Sequence, residues 1–135
     1  MSHTVYVDSC VLILALQAKE SDVAQKAIAA ISDQNTRYIF SPIVELEVLP
    51  KPTKHRPDQA KFFAEWFERA ERIQYSDEVH STALAQATTY SIEPMDAVHV
   101  GSAIVGKADE LITGEKSTKP MFASKELRVR SIRES

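Results

Sequence analysis

Short β-prone runs alternate with segments of helical periodicity along the chain, and this alternation restricts the possible folds. Parallel strands need a long crossover connection, usually a helix, so the order predicts a mainly parallel sheet with helices on both faces. The predicted class is a three-layer α/β/α sandwich. The expected strands are residues 4–8, 38–40, Ile73 with Tyr75, residues 110–113 and residues 127–132.

The helical segments are delimited by capping residues and prolines. Ser9 can begin a helix, and Pro42, Pro57 and Pro94 each stand where a first helical position is expected. Pro50 and Pro52 are expected to end the helix before them and to leave residues 51–56 as a basic loop. The predicted helices are residues 9–16, 21–34, 43–49, a segment from Pro57, residues 77–90 with Asp77 as the cap, and residues 94–105.

Composition limits the classes of function. The 135 residues fit one domain covering 1–135, and a net charge of −3 argues against an indiscriminate electrostatic binder of nucleic acid. The three glycines form no phosphate-cradling GxGxxG or GxxxxGK[ST] motif. A single cysteine excludes an internal disulfide, and no apolar run approaches the roughly 20 residues of a membrane span. A cytoplasmic protein without a membrane segment is expected.

An aspartate lies inside the apolar run VYVDSCVLILAL. A buried carboxylate without a partner costs several kcal/mol, so Asp8 requires a partner, a proton or a metal. In open α/β sheets the ligand site lies beyond the carboxyl ends of the strands. Asp8, Asp96, Glu115 and one of Glu45 or Glu47 are predicted to share that edge, whereas Asp109 precedes its strand and belongs to the opposite one.

Carboxylates gathered in this way favour a cation. Two of them about 4 Å apart repel by about 4 kcal/mol at an effective dielectric constant of 20. Oxygen ligands suit Mg²⁺ or Mn²⁺, and an ion held there can activate water and bind a phosphate. The alternative for any single position, such as Asp96 in its first helical turn, is an ordinary helix cap.

Three segments together resemble a known family. VYVDSCVLI, SPIVELEVLPKP and EPMDAVHVGSAIVGKADELITGEKSTKP are similar to segments of the PIN-domain nucleases, which include the VapC-type toxins of bacterial toxin-antitoxin pairs. The likeness extends over nearly the whole chain. It implies an α/β/α sandwich that binds Mg²⁺ or Mn²⁺ and cuts RNA.

The resemblance also implies site residues. Asp8 matches the first aspartate of the family, Asp96 matches that of the DAxH motif, and Glu47 fits the helical glutamate better than Glu45 does. Glu115 stands where the family usually has aspartate. Ser9 keeps the usual hydroxyl beside the first aspartate, whereas Ser117 replaces a frequent further acid. The implied metal ligands are Asp8, Glu47, Asp96 and Glu115, with Ser9 orienting a water or phosphate.

The leading functional hypothesis is a metal-dependent endoribonuclease. From the resemblance, a homodimer and a small antitoxin protein that blocks the site are expected partners, besides the RNA substrate. A nucleic-acid-binding or regulatory module with an altered acidic site is the alternative, motivated by Glu115 and Ser117. A third reading, a phosphatase with Asp8 as nucleophile, lacks the second aspartate at Cys10.

Several further residues allow a functional or a structural interpretation. Residues 51–56, Lys116 and Lys119 could contact RNA phosphates or could simply be solvated. His99 could support the site from a neighbouring position or could pack against the sheet. Aromatic residues 62, 63, 66 and 67 have the spacing of a core or interface stripe.

Overall fold

The sheet of this protein is parallel throughout, as predicted. The computed structural model describes residues 3–17 and 21–134. Within these residues the strand order is β3-β2-β1-β4-β5, and every neighbouring pair is parallel. The strands are β1 (His3–Val7), β2 (Thr36–Phe40), β3 (Glu71–Arg72), β4 (Glu110–Thr113) and β5 (Val129–Ser131).

Helices flank this sheet and connect its strands, which confirms the predicted α/β fold. None of the helices in the described part of the chain has the length and apolar character needed to cross a membrane. The helices are α1 (Ser9–Gln17), α2 (Asp22–Ala30), α3 (Pro42–Val48), α4 (Pro50–His55), α5 (Pro57–Arg69), α6 (Asp77–Tyr90), α7 (Pro94–Val105) and a short 3-10 helix (Pro120–Ala123).

The basic segment after α3 is helical, and the prediction of a loop there was wrong. Pro50 does not disrupt the chain but occupies the first turn of α4, where a backbone N–H is not needed. The N–H of Thr53 donates to the carbonyl of Leu49 at 2.9 Å, and that of Arg56 donates to Pro52 at 2.7 Å. Helix α3 ends at Val48, before the two prolines, and these prolines begin the next helix.

Other boundaries differ by a few residues. The third strand is Glu71–Arg72 rather than a run around Ile73 and Tyr75, although the N–H of Ile73 still donates to the carbonyl of Phe40 at 2.8 Å. Helix α2 ends at Ala30, whose carbonyl accepts a hydrogen bond from the Tyr38 hydroxyl at 2.8 Å. The predicted helix therefore extends past its observed end, and the predicted third strand begins after the observed one ends.

One hydrophobic core joins the sheet and its helices, from Val5 to Ile132. Phe63, Trp66 and Phe67 of α5 are buried, as their spacing predicts, while Phe62 stays 38% exposed. The rings of Trp66 and Phe67 pack on Phe40 of β2. Ser76, not Asp77, caps α6, because its hydroxyl accepts from the Val79 N–H at 3.2 Å. The core leaves the carboxyl ends of β1 and β4 open for polar side chains.

Candidate metal centre

The register of β1 and β4 places Asp8 beside Thr113. Val7 pairs with Ile112, and the N–H of Asp8 donates to the Ile112 carbonyl at 3.1 Å, so the next residues on both strands are neighbours. Thr113 donates its hydroxyl proton to Asp8 Oδ2 at 2.8 Å, and Ser9 donates to Oδ1 at 3.3 Å. Asp8 is 5% exposed. Two hydroxyl groups therefore hold a buried carboxylate at the carboxyl edge of the sheet.

Helices α3 and α7 bring Glu47 and His99 to this carboxylate. His99 Nε2 lies 3.2 Å from Glu47 Oε1 and 3.5 Å from Asp8 Oδ1. One ligand atom from each of the three residues lies within 4.8 Å of the others, a spacing that could hold a metal ion. The three residues are far apart in the sequence, so they come together only when the chain folds.

The other side of the His99 ring is fixed by Tyr6. The Tyr6 hydroxyl lies 2.8 Å from Nδ1 of His99 and donates to Ser41 Oγ at 2.9 Å, so Nδ1 donates to the tyrosine oxygen. Burial raises the pKa of Tyr6 well above its usual range, which keeps the phenol neutral. The imidazole is therefore held at both nitrogens between a phenol and carboxylates.

The charge of His99 follows from these partners. Burial by itself lowers the pKa of His99, but the hydrogen bond that the ring donates to Glu47 and the charges of Asp8, Glu47 and Asp96 outweigh this effect and raise the pKa. In return, the hydrogen bond with His99 lowers the pKa of Glu47, against an opposing effect of burial. His99 thus partly neutralises the two carboxylates that it contacts.

Asp96 and Glu115 lie within electrostatic reach of this group. Burial raises the pKa of Asp96, and the charges of Asp8 and Glu115 raise it further, whereas Lys119 and His99 oppose the shift. Lys119 Nζ is 4.0 Å from Asp96 Oδ2. The N–H of Glu115 donates to Thr113 Oγ1 at 3.1 Å, so the same threonine orients Asp8 and the turn that carries Glu115.

The two glutamates of α3 have different partners. Glu47 contacts His99, whereas Glu45 Oε2 accepts a hydrogen bond from Arg72 at 2.8 Å. Asp109 accepts from the N–H of Thr4 at 2.7 Å at the amino end of β1, on the opposite edge. Of these acids, the structure brings Glu47 to Asp8 and leaves Glu45 and Asp109 elsewhere.

The donor set fits a hard divalent ion. One carboxylate oxygen of Asp8 and one of Glu47 lie within 4.8 Å of each other, and the charge of Asp8 also acts on Asp96. Such oxygens suit Mg²⁺ or Mn²⁺. The pKa of Asp96 is raised first by burial and then by the charges of Asp8 and Glu115, and a bound cation would oppose both effects.

Sequence reasoning missed two contributors and underestimated a third. Thr113 and Tyr6 were not singled out, and His99 both packs against the sheet, at 2% exposure, and contacts the acidic group. A signal for Thr113 was present, since it ends its strand just before Gly114. Cys10 lies beside the site, where its sulfur accepts a hydrogen bond from the Gly114 N–H at 2.9 Å and burial raises its pKa to about 12.

The protein is of the α/β class, because helices flank a parallel sheet. Carboxylates and a histidine are gathered at the carboxyl edge of that sheet. The chain belongs to the PIN domain family, whose model matches residues 5–119. Members of this family are typically metal-dependent nucleases. No curated protein matches the chain significantly.

Solved structures with the same fold come from bacterial toxin-antitoxin systems. A toxin-antitoxin complex from Klebsiella pneumoniae is 20% identical, with a TM-score of 0.75 over 95% of this chain and 97% of that one. VapBC2 from Rickettsia felis, bound to a DNA fragment from its promoter, is 17% identical, with a TM-score of 0.71 over 95% and 98%. VapC20 from Mycobacterium tuberculosis, a toxin that cleaves the sarcin-ricin loop, is 12% identical, with a TM-score of 0.59 over 79% and 86%.

Proposed function

We propose that this protein is a metal-dependent endoribonuclease and the toxin of a toxin-antitoxin pair. The observation that carries the proposal is the convergence of Asp8, Glu47 and His99 within 4.8 Å at the carboxyl edge of the sheet. Membership of the PIN domain family supports the same activity.

We assign roles to the residues from their contacts and from the family resemblance. Asp8, Glu47, Asp96 and Glu115 would hold Mg²⁺ or Mn²⁺, which supplies water activation and stabilises charge on a phosphate undergoing in-line displacement. Thr113 donates to Asp8 and orients it, and Ser9 donates to the same carboxylate. We assign to Ser9 the orientation of a water or phosphate. His99 positions Glu47 through their hydrogen bond.

The direct test is RNA cleavage by the purified protein with Mn²⁺, alongside Mn²⁺ binding measured by calorimetry. Asp8→Asn keeps the shape of the side chain but removes its charge, so both cleavage and Mn²⁺ uptake should be lost. EDTA should abolish cleavage by the wild-type protein. Asp109→Asn is the matched control, because its amide oxygen can still accept from Thr4 at the opposite edge, and it should behave as wild type.

Cleavage that survives EDTA or Asp8→Asn would contradict the metal mechanism. RNA binding without cleavage in Mn²⁺ would instead support the alternative, a regulatory or nucleic-acid-binding module. That alternative draws on Glu115, where the family usually has aspartate, and on Ser117. The two outcomes separate turnover from binding at one site.

The proposed partners derive from the comparisons. Similar folds have been crystallised as toxin-antitoxin complexes, which supports an antitoxin protein that blocks the site. We propose in addition that the chain acts as one PIN-like unit, consistent with its continuous core, and as a cytoplasmic homodimer. Light scattering of the purified protein, alone and after co-expression with a small neighbouring gene product, tests both assemblies.

A further inference from the structure

A basic pocket adjoins the acidic group on the side of Glu115. It has a volume of ≈ 640 Å³, within the range of about 300–1,000 Å³ typical of ligand sites. Lys116, Lys119 and Arg133 bring three positive charges to its wall, against one negative charge on Glu115. The pocket is thus locally positive, although the chain as a whole has a net charge of −3.

The arginine of this pocket is held in place. Arg133 Nε donates to the carbonyl of Gly114, in the turn after β4, which fixes the guanidinium beside Glu115. Within residues 3–17 and 21–134, no hydrogen bond or ion pair engages its two terminal nitrogens. A planar guanidinium with free donors is well suited to bind a phosphate.

The pocket lies next to the Asp96 carboxylate. Lys119 contacts Asp96 at 4.0 Å, and Glu115, which lines the pocket, influences the same carboxylate. A backbone phosphate bound in the pocket would therefore lie beside the phosphate that is cut at the proposed metal centre.

A second basic pocket lies on the other side of the acidic group. Its volume is ≈ 450 Å³, its lining includes Glu47, and Lys51, His55 and Arg56 supply its basic groups. Ile13 and Gln17 of α1 line both pockets, so α1 separates them. Cations thus flank the acidic group on both sides, in concave pockets that suit individual nucleotides of a flexible strand better than a rigid duplex.

We propose that the pocket of Lys116, Lys119 and Arg133 binds backbone phosphates of a single-stranded nucleic acid on one side of the cut. This proposal rests on the proposed function, because it assigns the path of the substrate next to the same metal centre. The strand then passes the acidic group and continues over α1 towards Lys51 and Arg56. The basic pockets offset the repulsion between the acidic edge and a polyanion.

Binding of a labelled RNA strand of about 12 nucleotides, measured by fluorescence anisotropy in EDTA, tests the pocket without cleavage. We expect the double variant Lys119→Gln/Arg133→Gln to bind roughly tenfold more weakly at about 50 mM salt. The slope of log K against log salt, taken between about 50 and 200 mM, should fall by about 1.4, or about 0.7 for each lost contact.

Two further double variants control for folding and for total charge. Lys116→Gln/Lys119→Gln leaves the contact between Arg133 and Gly114 intact and should show a similar loss. Lys107→Gln/Arg128→Gln removes the same charge from exposed positions just before β4 and β5, at the opposite edge, and should bind as the wild type does.

The proposal is overturned if the pocket variants match the opposite-edge control, or if the wild-type protein binds no RNA strand in EDTA. It is also overturned if a glutamate-rich peptide binds the pocket and the RNA does not, since the occupant would then be an acidic protein segment. Mn²⁺ uptake is measured separately. If the pocket variants show a reduced salt slope but the wild-type protein takes up no Mn²⁺, the RNA-binding role of the pocket stands and the proposed nuclease activity is refuted.

Discussion

Thr113 connects the parts of the acidic group at the scale of single residues. Its hydroxyl donates to Asp8 and accepts from the N–H of Glu115, so one side chain orients both acidic positions. Groups that hydrogen-bond a metal ligand typically change metal affinity by about 10- to 100-fold when they are removed. The threonine is fully buried, which also makes the loss of its hydrogen bonds costly.

Thr113→Val should therefore weaken Mn²⁺ binding by about tenfold and reduce the free energy of unfolding by about 1–2 kcal/mol. Calorimetric titration and urea unfolding measure the two effects. Thr36→Val is the matched control, because the Thr36 hydroxyl also donates to an aspartate, Asp33, but at an exposed site. Equal Mn²⁺ affinities in the two variants would refute the role given to Thr113.

The two glutamates of α3 provide a second comparison. Glu47→Gln should weaken Mn²⁺ binding by at least about tenfold, because it removes a carboxylate from the group around Asp8. Glu45→Gln should leave Mn²⁺ binding unchanged, since Glu45 pairs with Arg72 instead. Calorimetric titration of both variants with Mn²⁺ identifies which glutamate contributes to metal binding. Weaker binding in Glu45→Gln but not in Glu47→Gln would contradict the assignment of Glu47.

At the scale of elements, the close approach of α6 and α7 positions the site. A Cβ added at Gly101 would lie 2.9 Å from the backbone nitrogen and 3.0 Å from the Cα of Ala83. Glycine is therefore required for contact between the helices, and α7 carries both Asp96 and His99. The position of these two side chains depends on that contact.

Gly101→Ala should reduce the free energy of unfolding by about 1–3 kcal/mol, because overpacking outweighs the better helix propensity of alanine. Ser102→Ala tests the adjacent position. Among the described residues, the Ser102 hydroxyl is buried without a hydrogen-bond partner, so its removal should be neutral or stabilising by up to about 1 kcal/mol. Urea unfolding of both variants checks the contrast, and a stable Gly101→Ala protein would show that the helices can separate without cost.

At the scale of the whole molecule, the two edges of the sheet differ in electrostatics. Carboxylates at the carboxyl edge repel one another, while Glu110 at the amino end of β4 is paired with His3 and Arg130, each at 2.7 Å. Burial tends to raise the pKa of Glu110, but its hydrogen bonds with His3 and Arg130 outweigh this effect and lower the pKa. The hydrogen bonds of Glu110 thus stabilise the amino edge of the sheet.

The stability of the protein should depend on Glu110 in a pH-dependent way. Because its pKa is lower in the folded than in the unfolded state, its contribution is present above the ordinary value of 4.5 and is lost as pH falls through the folded-state pKa. Glu110→Gln should cost about 1–2 kcal/mol at neutral pH, with the difference from wild type vanishing in acid. Urea unfolding from neutral to acidic pH measures this difference in the free energy of unfolding. The control is Glu65→Gln, which lies in an exposed pair 4.0 Å from Arg69 and should cost little at any pH. A constant difference for Glu110→Gln would rule out the ionic contribution.

Much of the fold could be predicted because its signals are local. Apolar periodicity located α5, and the cap signal at Asp77 and the proline at Pro94 located α6 and α7. The alternation of strands and helices implied parallel pairing, which in turn assigned Asp8 and Asp109 to opposite edges. Local signals failed at residues 51–56, since a proline is compatible with both the end of one helix and the first turn of the next.

The sequence by itself determined the order of elements, the parallel sheet, the edge at which the acids gather and the family resemblance, because each depends on residues close in the chain. Only the tertiary structure decided that Glu47 and not Glu45 contacts His99, that Thr113 holds Asp8, and that Lys119 and Arg133 share a pocket. These partners are far apart in sequence, and their meeting depends on strand register and helix packing, which no local pattern specifies.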